Sequence, residues 1–181
     1  EQAVFKGIDL TGFAHPGIAL SAAEFSDAIL THANFEHSFF SMANFSGAML
    51  AHVNFSHVDL RGAKFQCAKM TKASLVSADL SAMPIAGGGG RTWPTNLRGA
   101  NLVDADLTHA DLSQCDFTGA TLQGADLTSV DVSGANFDGA DLTNAIVEGV
   151  DFSSCVLTDV MGIDASVIQK QKKASAAAAK T

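Results

Sequence analysis

From Phe25 to Leu80 every fifth residue is large and apolar: Phe25, Leu30, Phe35, Phe40, Phe45, Leu50 and onward to Leu80. Two residues before each stands a small residue, mostly Ala, and the residue after it is often Ser or Thr. A period of five suits neither regular element. On an α-helix, steps of five turn about 140° and spread the apolar residues round every face. On an unbroken strand, an odd step sends successive residues to opposite faces. The pattern makes one buried stripe only if the chain turns a corner once per repeat. The large residue and the small one before it then point to a common axis, and the remaining three face water.

The short motif inside the period is A-(D/N)-(L/F)-(S/T)-G. Clear copies are Ala33-Asn34-Phe35, Ala78-Asp79-Leu80, Ala105-Asp106-Leu107 and Ala140-Asp141-Leu142. This motif, tandem from about Phe5 to Leu157, resembles the pentapeptide-repeat family. The resemblance implies an all-β chain wound as a right-handed quadrilateral β-helix, one repeat per side and four per coil. About thirty repeats then make roughly seven or eight coils, a rod about 35 Å long at the ~4.8 Å spacing of paired strands. The residues alone leave the coil less fixed, because Phe35 and Phe55 fit a ten-residue alternation as well as a twenty-residue one.

The phase divides the chain, all within one domain. Residues 1–22 keep the period with Ile8, Phe13 and Ile18 in the small position and His15-Pro16 where a large residue belongs, which predicts an N-terminal capping coil. Residues 23–85 are the first regular block. Residues 86–96, with four successive glycines, Arg91 and Trp93, are expected to form a loop thrown out between two sides. The second block occupies 97–157. Residues 158–181 leave the repeat, and Asp164 is placed to cap a short helix over 166–172 that covers the end of the rod or pairs with its copy in a homodimer. A chain that starts at Glu1 fits a processed or excised form, so the compartment stays open between cytoplasmic and lumenal or secreted. No apolar run approaches a membrane span.

Charge divides the molecule differently. The net charge is −8, and between Gly99 and Gln169 there is no Lys or Arg. That stretch carries rows of aspartates at repeat spacing. Asp111, Asp131 and Asp151 should stack up one side, one coil apart, and Asp106 and Asp126 stand in the same stretch. With Arg91 and Trp93 in the loop, these are the candidate partner contacts. Arg61, Lys64, Lys69 and Lys72 form a basic band too small to suggest direct nucleic-acid binding. His32, His37, His52 and His57 share one corner position and are the candidate metal ligands, although no Cys or carboxylate completes a familiar spacing. Cys115 and Cys155 take the small inward position, while Cys67 points outward. The four glycines lack the rest of a phosphate-binding motif. No catalytic residues, cofactor or enzyme activity are expected, since polar groups on a convex surface give no water-excluding pocket.

The expected function is a scaffold that binds a partner protein through its outer wall. The resemblance adds sharper versions. Some members imitate duplex DNA and bind type II topoisomerases such as gyrase. Others serve as domains of secreted effectors, secretion systems or lumenal proteins.

Overall fold

The computed structural model describes residues 2–164, together with Ser166 and Gln169. The residue preceding each large apolar one bridges in parallel to its equivalent 20 residues on, as in Glu24 to Asn44 and Asn34 to Asn54. Four repeats therefore close each coil, and the fold is the expected right-handed quadrilateral β-helix. Taking the sides in chain order, the outward ladder of the first runs Glu24–Asn44–Lys64–Asn96–Asp116–Asn136. That of the fourth runs Phe39–Asp59–Asp79–Asp111–Asp131.

Each corner is a tight turn. The amide entering one side donates to the carbonyl of the large residue just left, as Ala28 N does to Phe25 O at 3.1 Å. The last corner residue has positive φ whether or not it is glycine, for example +60° at His32 and +71° at Gly47. Where Asp or Asn precedes the large residue, its carboxyl or amide oxygen accepts the amide two residues on, as Asn54 Oδ1 does from Ser56 N at 3.0 Å and Asp126 Oδ1 from Thr128 N at 2.9 Å. The small polar residue thus anchors the turn from outside while its neighbours fill the inside.

The interior is a solid column. Phe25, Phe45 and Phe65 lie in one stack with centroids 5.0 and 5.1 Å apart, and Phe40 meets Phe25, Phe35, Phe45 and Phe55 edge-on. Each such side chain stabilises the rod by roughly 1.5–3 kcal/mol through burial. The first coil covers the column less completely. Phe5, Leu10, Phe13, Ile18 and Leu20 are only partly buried, and they border, with Phe25 and Phe35, a wholly apolar opening of about 100 Å³. Of the helix expected over 166–172, only Ser166 and Gln169 fall within the described residues; the Asp164 carboxylate accepts the Ser166 amide at 2.7 Å.

The excursion starts earlier than the repeat phase suggests. Lys64 bridges to Asn96, a step of 32 where the rungs above and below it on the same ladder step by 20, so 12 residues are inserted. They follow Leu80 rather than Ile85. Met83–Pro84 (β1) pairs antiparallel with Thr92–Trp93 (β2), Met83 opposite Trp93. Ile85 lies within the hairpin loop, its carbonyl accepting the Gly88 amide at 2.8 Å, and is not part of the column. Thr95 fills the small inward position instead, fully buried. Its hydroxyl accepts the Gly62 amide at 2.8 Å and lies 3.2 Å from the Leu60 carbonyl, to which it donates. The rod continues below, its first-side ladder running on through Asn96, Asp116 and Asn136.

Candidate interaction surfaces

The carboxylate rows are built by the turn chemistry just described. Asp106 bridges Asp126 on the third side, and Asp111 bridges Asp131 on the fourth. Each presents Oδ1 to the amide two residues on, at 2.8–3.0 Å. On the fourth side the row extends upward through Asp79 and Asp59, which sequence spacing missed because the 12-residue insertion shifts the numbering. Adding that offset to the period is the signal that finds them. Arg61 partly neutralises the top of the row, with Nη2 2.8 Å from Asp59 Oδ2 and Nε 3.5 Å from Asp79 Oδ2. Burial pushes the Asp59 carboxyl up, but the Arg61 bonds outweigh it and hold the pKa below the usual carboxylate range. Hydrogen bonds from Ser133 lower that of Asp131. Below Asp79 no Lys or Arg of the described residues pairs with this row; Arg98 faces Asp116 on the first side at 3.3 Å.

Asp151 departs from the expected stack. It sits on the same side, but the bridging stops at Asp131, and a cleft of about 360 Å³ opens between Val130–Ser133 and Gly149–Asp151. The packing explains the gap. Val130 and Val150 follow one another in the small inward position, where Val58 on the same side is flanked by Ser38 and Ala78. Two successive branched side chains overfill the corner and spread the backbones. Both Val residues are about 5–6% exposed, against 1–2% for Ala78 and Ala110 on that side.

The four histidines come together only in pairs. His32 stacks on His52 at 4.7 Å and His37 on His57 at 4.9 Å, at successive corners of the rod. Glu36 Oε1 lies 3.6 Å from His37 Nε2. Among the described residues, no group of three or more His, Cys, Asp or Glu is placed to hold a metal ion. The thiols of Cys115 and Cys155 are buried and donate to the carbonyls of Leu80 and Val132, both at 3.1 Å, while burial pushes the Cys115 thiol well up from its ordinary pKa. Cys67 is exposed.

Arg91 and Trp93 stand out from the rod, Trp93 being 54% exposed. The hairpin behind them is seated on the first corner of the coil below Met42. A Cβ on Gly62 would lie 2.6 Å from Met42 Sδ and 2.9 Å from Met83 Cβ, so only glycine lets the hairpin sit this close. Thr92 Oγ1 donates to Gln114 Oε1 at 3.1 Å. Between hairpin and rod runs a groove of about 460 Å³, with Met42, Gly62, Trp93 and Pro94 on its apolar part and Lys64, Gln66 and Asn96 along the first side. Sequence reasoning had no means to see this groove, because Met42 and Trp93 are brought together only by the insertion. No helix among the described residues is long and apolar enough to cross a membrane.

Comparison with known proteins agrees with the geometry. The family model for pentapeptide repeats matches residues 3–41, 28–66, 43–81, 95–134 and 122–159. No curated protein matches the chain. Among solved structures, a trypsin-treated variant of QnrB1, a plasmid-mediated fluoroquinolone resistance protein, is similar with a TM-score of 0.65 at 16% identity, over 96% of this chain and 92% of that one. HetL from the cyanobacterium Nostoc sp. strain PCC 7120, involved in heterocyst differentiation regulation, is similar with a TM-score of 0.56 at 20% identity, over 87% of this chain and 86% of that one.

Proposed function

The chain belongs to the pentapeptide-repeat family, and from that premise we propose that it is a non-enzymatic scaffold whose outer wall binds a partner protein. The principal contact is the pair of carboxylate rows Asp106–Asp126 and Asp111–Asp131, with Asp151 beyond. One observation carries this reading. Where the turn uses an oxygen acceptor before the large residue it requires no charge: Asn34, Asn44, Asn54 and Asn136 serve it with the same bond at 3.0–3.1 Å, and Ile29 and Met49 hold the same place with no acceptor at all. Asp in the rows therefore exceeds what the fold requires. Each adjacent carboxylate pair costs about 0.9 kcal/mol at ~4.8 Å even at the dielectric of water. A basic partner surface offsets that repulsion and is drawn to it.

The test replaces Asp106, Asp111, Asp126, Asp131 and Asp151 with Asn together and compares partners pulled down from the native host. The five-fold variant is expected to fold and to lose its salt-sensitive partners. An unchanged set of partners would remove the rows from the proposal.

A second reading makes that partner a type II topoisomerase such as gyrase, with the rod standing in for duplex DNA. It is favoured by evenly spaced carboxylates along a narrow rod and by the likeness to a fluoroquinolone resistance protein. A gyrase supercoiling assay at low and high salt decides it. Neither inhibition nor protection at micromolar protein ends this version and leaves the scaffold reading standing.

A further inference from the structure

We infer that the groove between the hairpin and the first side is a second docking site, and that it takes an acidic peptide segment carrying a large apolar side chain. This contact has the opposite sign to the carboxylate rows and does not depend on them. Its floor and wall are apolar: Met42, Gly62, Pro94 and the exposed ring of Trp93. An aromatic ring half in water beside a methionine is the arrangement that anchors a partner's apolar side chain. The only charged residue lining the groove is Lys64, which is exposed and has no ion-pair partner among the described residues. The nearest charge on the hairpin is Arg91, two residues before Trp93, and residues 81–94 contain no carboxylate. In a chain of net charge −8 this is a local reversal of sign. Gln66 and Asn96 along the same edge supply side-chain donors and acceptors for an extended backbone.

The charge pattern also selects the class of occupant. A nucleic acid following the rod from this groove would run onto the second block, where cations are absent from Gly99 to Gln169. Like charges repel it there. A peptide of a few residues ends before that surface begins. The hairpin is held to the rod by Thr95 and by Thr92–Gln114, so the groove is present before anything binds.

A displayed library of random peptides, selected on the whole chain and counter-selected on the Trp93→Ala variant, tests this directly, with Lys64→Glu kept for the binding measurement. Glu24 already occupies the same ladder two rungs above Lys64, so the fold accepts the substitution. Enriched peptides are expected to pair Asp or Glu with a large apolar residue. A synthetic copy is expected to shift Trp93 emission to the blue, a clean reading because Trp93 is the single Trp in a chain without Tyr. Measured by anisotropy of the labelled peptide, Lys64→Glu and Trp93→Ala should each weaken binding about tenfold. Four outcomes overturn the inference: enriched peptides without acidic residues, equal binding to Lys64→Glu, displacement by a single-stranded oligonucleotide, or a concentration-dependent blue shift with no peptide present, which assigns the groove to a second copy. Replacing the five aspartates with Asn should leave this binding intact, which separates it from the contact proposed above.

Discussion

At the scale of single residues, the corner position shows where the sequence is working against the backbone. Among the described residues, sixteen non-glycine residues hold φ between +50° and +62°, among them Ala22, Ser77 and all four of the paired histidines. Each gives up stability that glycine would keep, because Cβ crowds the following carbonyl in the left-handed region. Ser77 makes the plainest test, being exposed at φ +54°. Ser77→Gly is expected to raise stability by about 0.5–1 kcal/mol, read as a higher urea midpoint. The carboxylates make the complementary case. Hydrogen bonds hold Asp131 low, and Asp59 and Asp116 are lowered by Arg61 and by Thr118 with Arg98 against the opposing effect of burial. A group lowered in the fold contributes fully above its unfolded pKa of about 3.9 and loses that contribution as pH falls through its folded value. The urea midpoint should therefore hold from neutral pH to about 5 and fall below about 4. Asp131→Asn, which keeps the turn acceptor but does not titrate, should reduce that fall.

At the scale of elements, the insertion shows what a period can and cannot reveal. The large residues at fives were legible because nothing else explains their spacing, and with them came the column, the outward row Asp111–Asp131, and an excursion carrying Arg91 and Trp93. The start of that excursion was not legible. Ile85 stands five residues after Leu80 and mimics another rung, while Thr95, which takes the inward place, looks like a loop residue. What decides between them is hydrogen bonding that sequence spacing does not contain. Asp151 was misjudged for a related reason, since Val130 and Val150 each look acceptable until one is stacked on the other. The histidines shared a position but the corners keep their pairs separate. Thr95→Val tests the seat of the hairpin. It keeps the shape but leaves the buried Gly62 amide without its acceptor, at an expected cost of about 1–3 kcal/mol. Trp93 fluorescence should then respond to denaturant before the rest of the rod unfolds.

At the scale of the molecule, the chain is a polarised rod. Its upper half packs Phe against Phe around the column and, with the hairpin, carries most of the cations of the described residues; its lower half is mostly Leu inside and acidic outside. Because each coil touches only its neighbours, stability sums along the axis. Charge on the fourth side enters that sum unfavourably. Asp111→Asn, relieving contacts with both Asp79 and Asp131, should therefore raise stability at low ionic strength by up to about 1–2 kcal/mol. The gain should shrink as salt rises, because exposed charges are screened. A thermal melt series in salt reads both. A charge that its ladder neighbours repel in the free rod, yet is repeated along it, is consistent with selection for what the rod meets.

The parted rung below Val132 has a mechanical consequence. Three sides still tie the last coil to the one above, through Asp126–Ile146, Asn136–Val156 and Asp141–Met161, while the fourth lacks its bridge. A stack loosened along one edge opens there like a book, about the hinge formed by the opposite edge. Native-state hydrogen exchange should find the amides of Ile146, Val156 and Met161 released together, at lower denaturant than those of Asn44 or Asn54. Release of all of them in one global step would show that the seam bears load as well as any other.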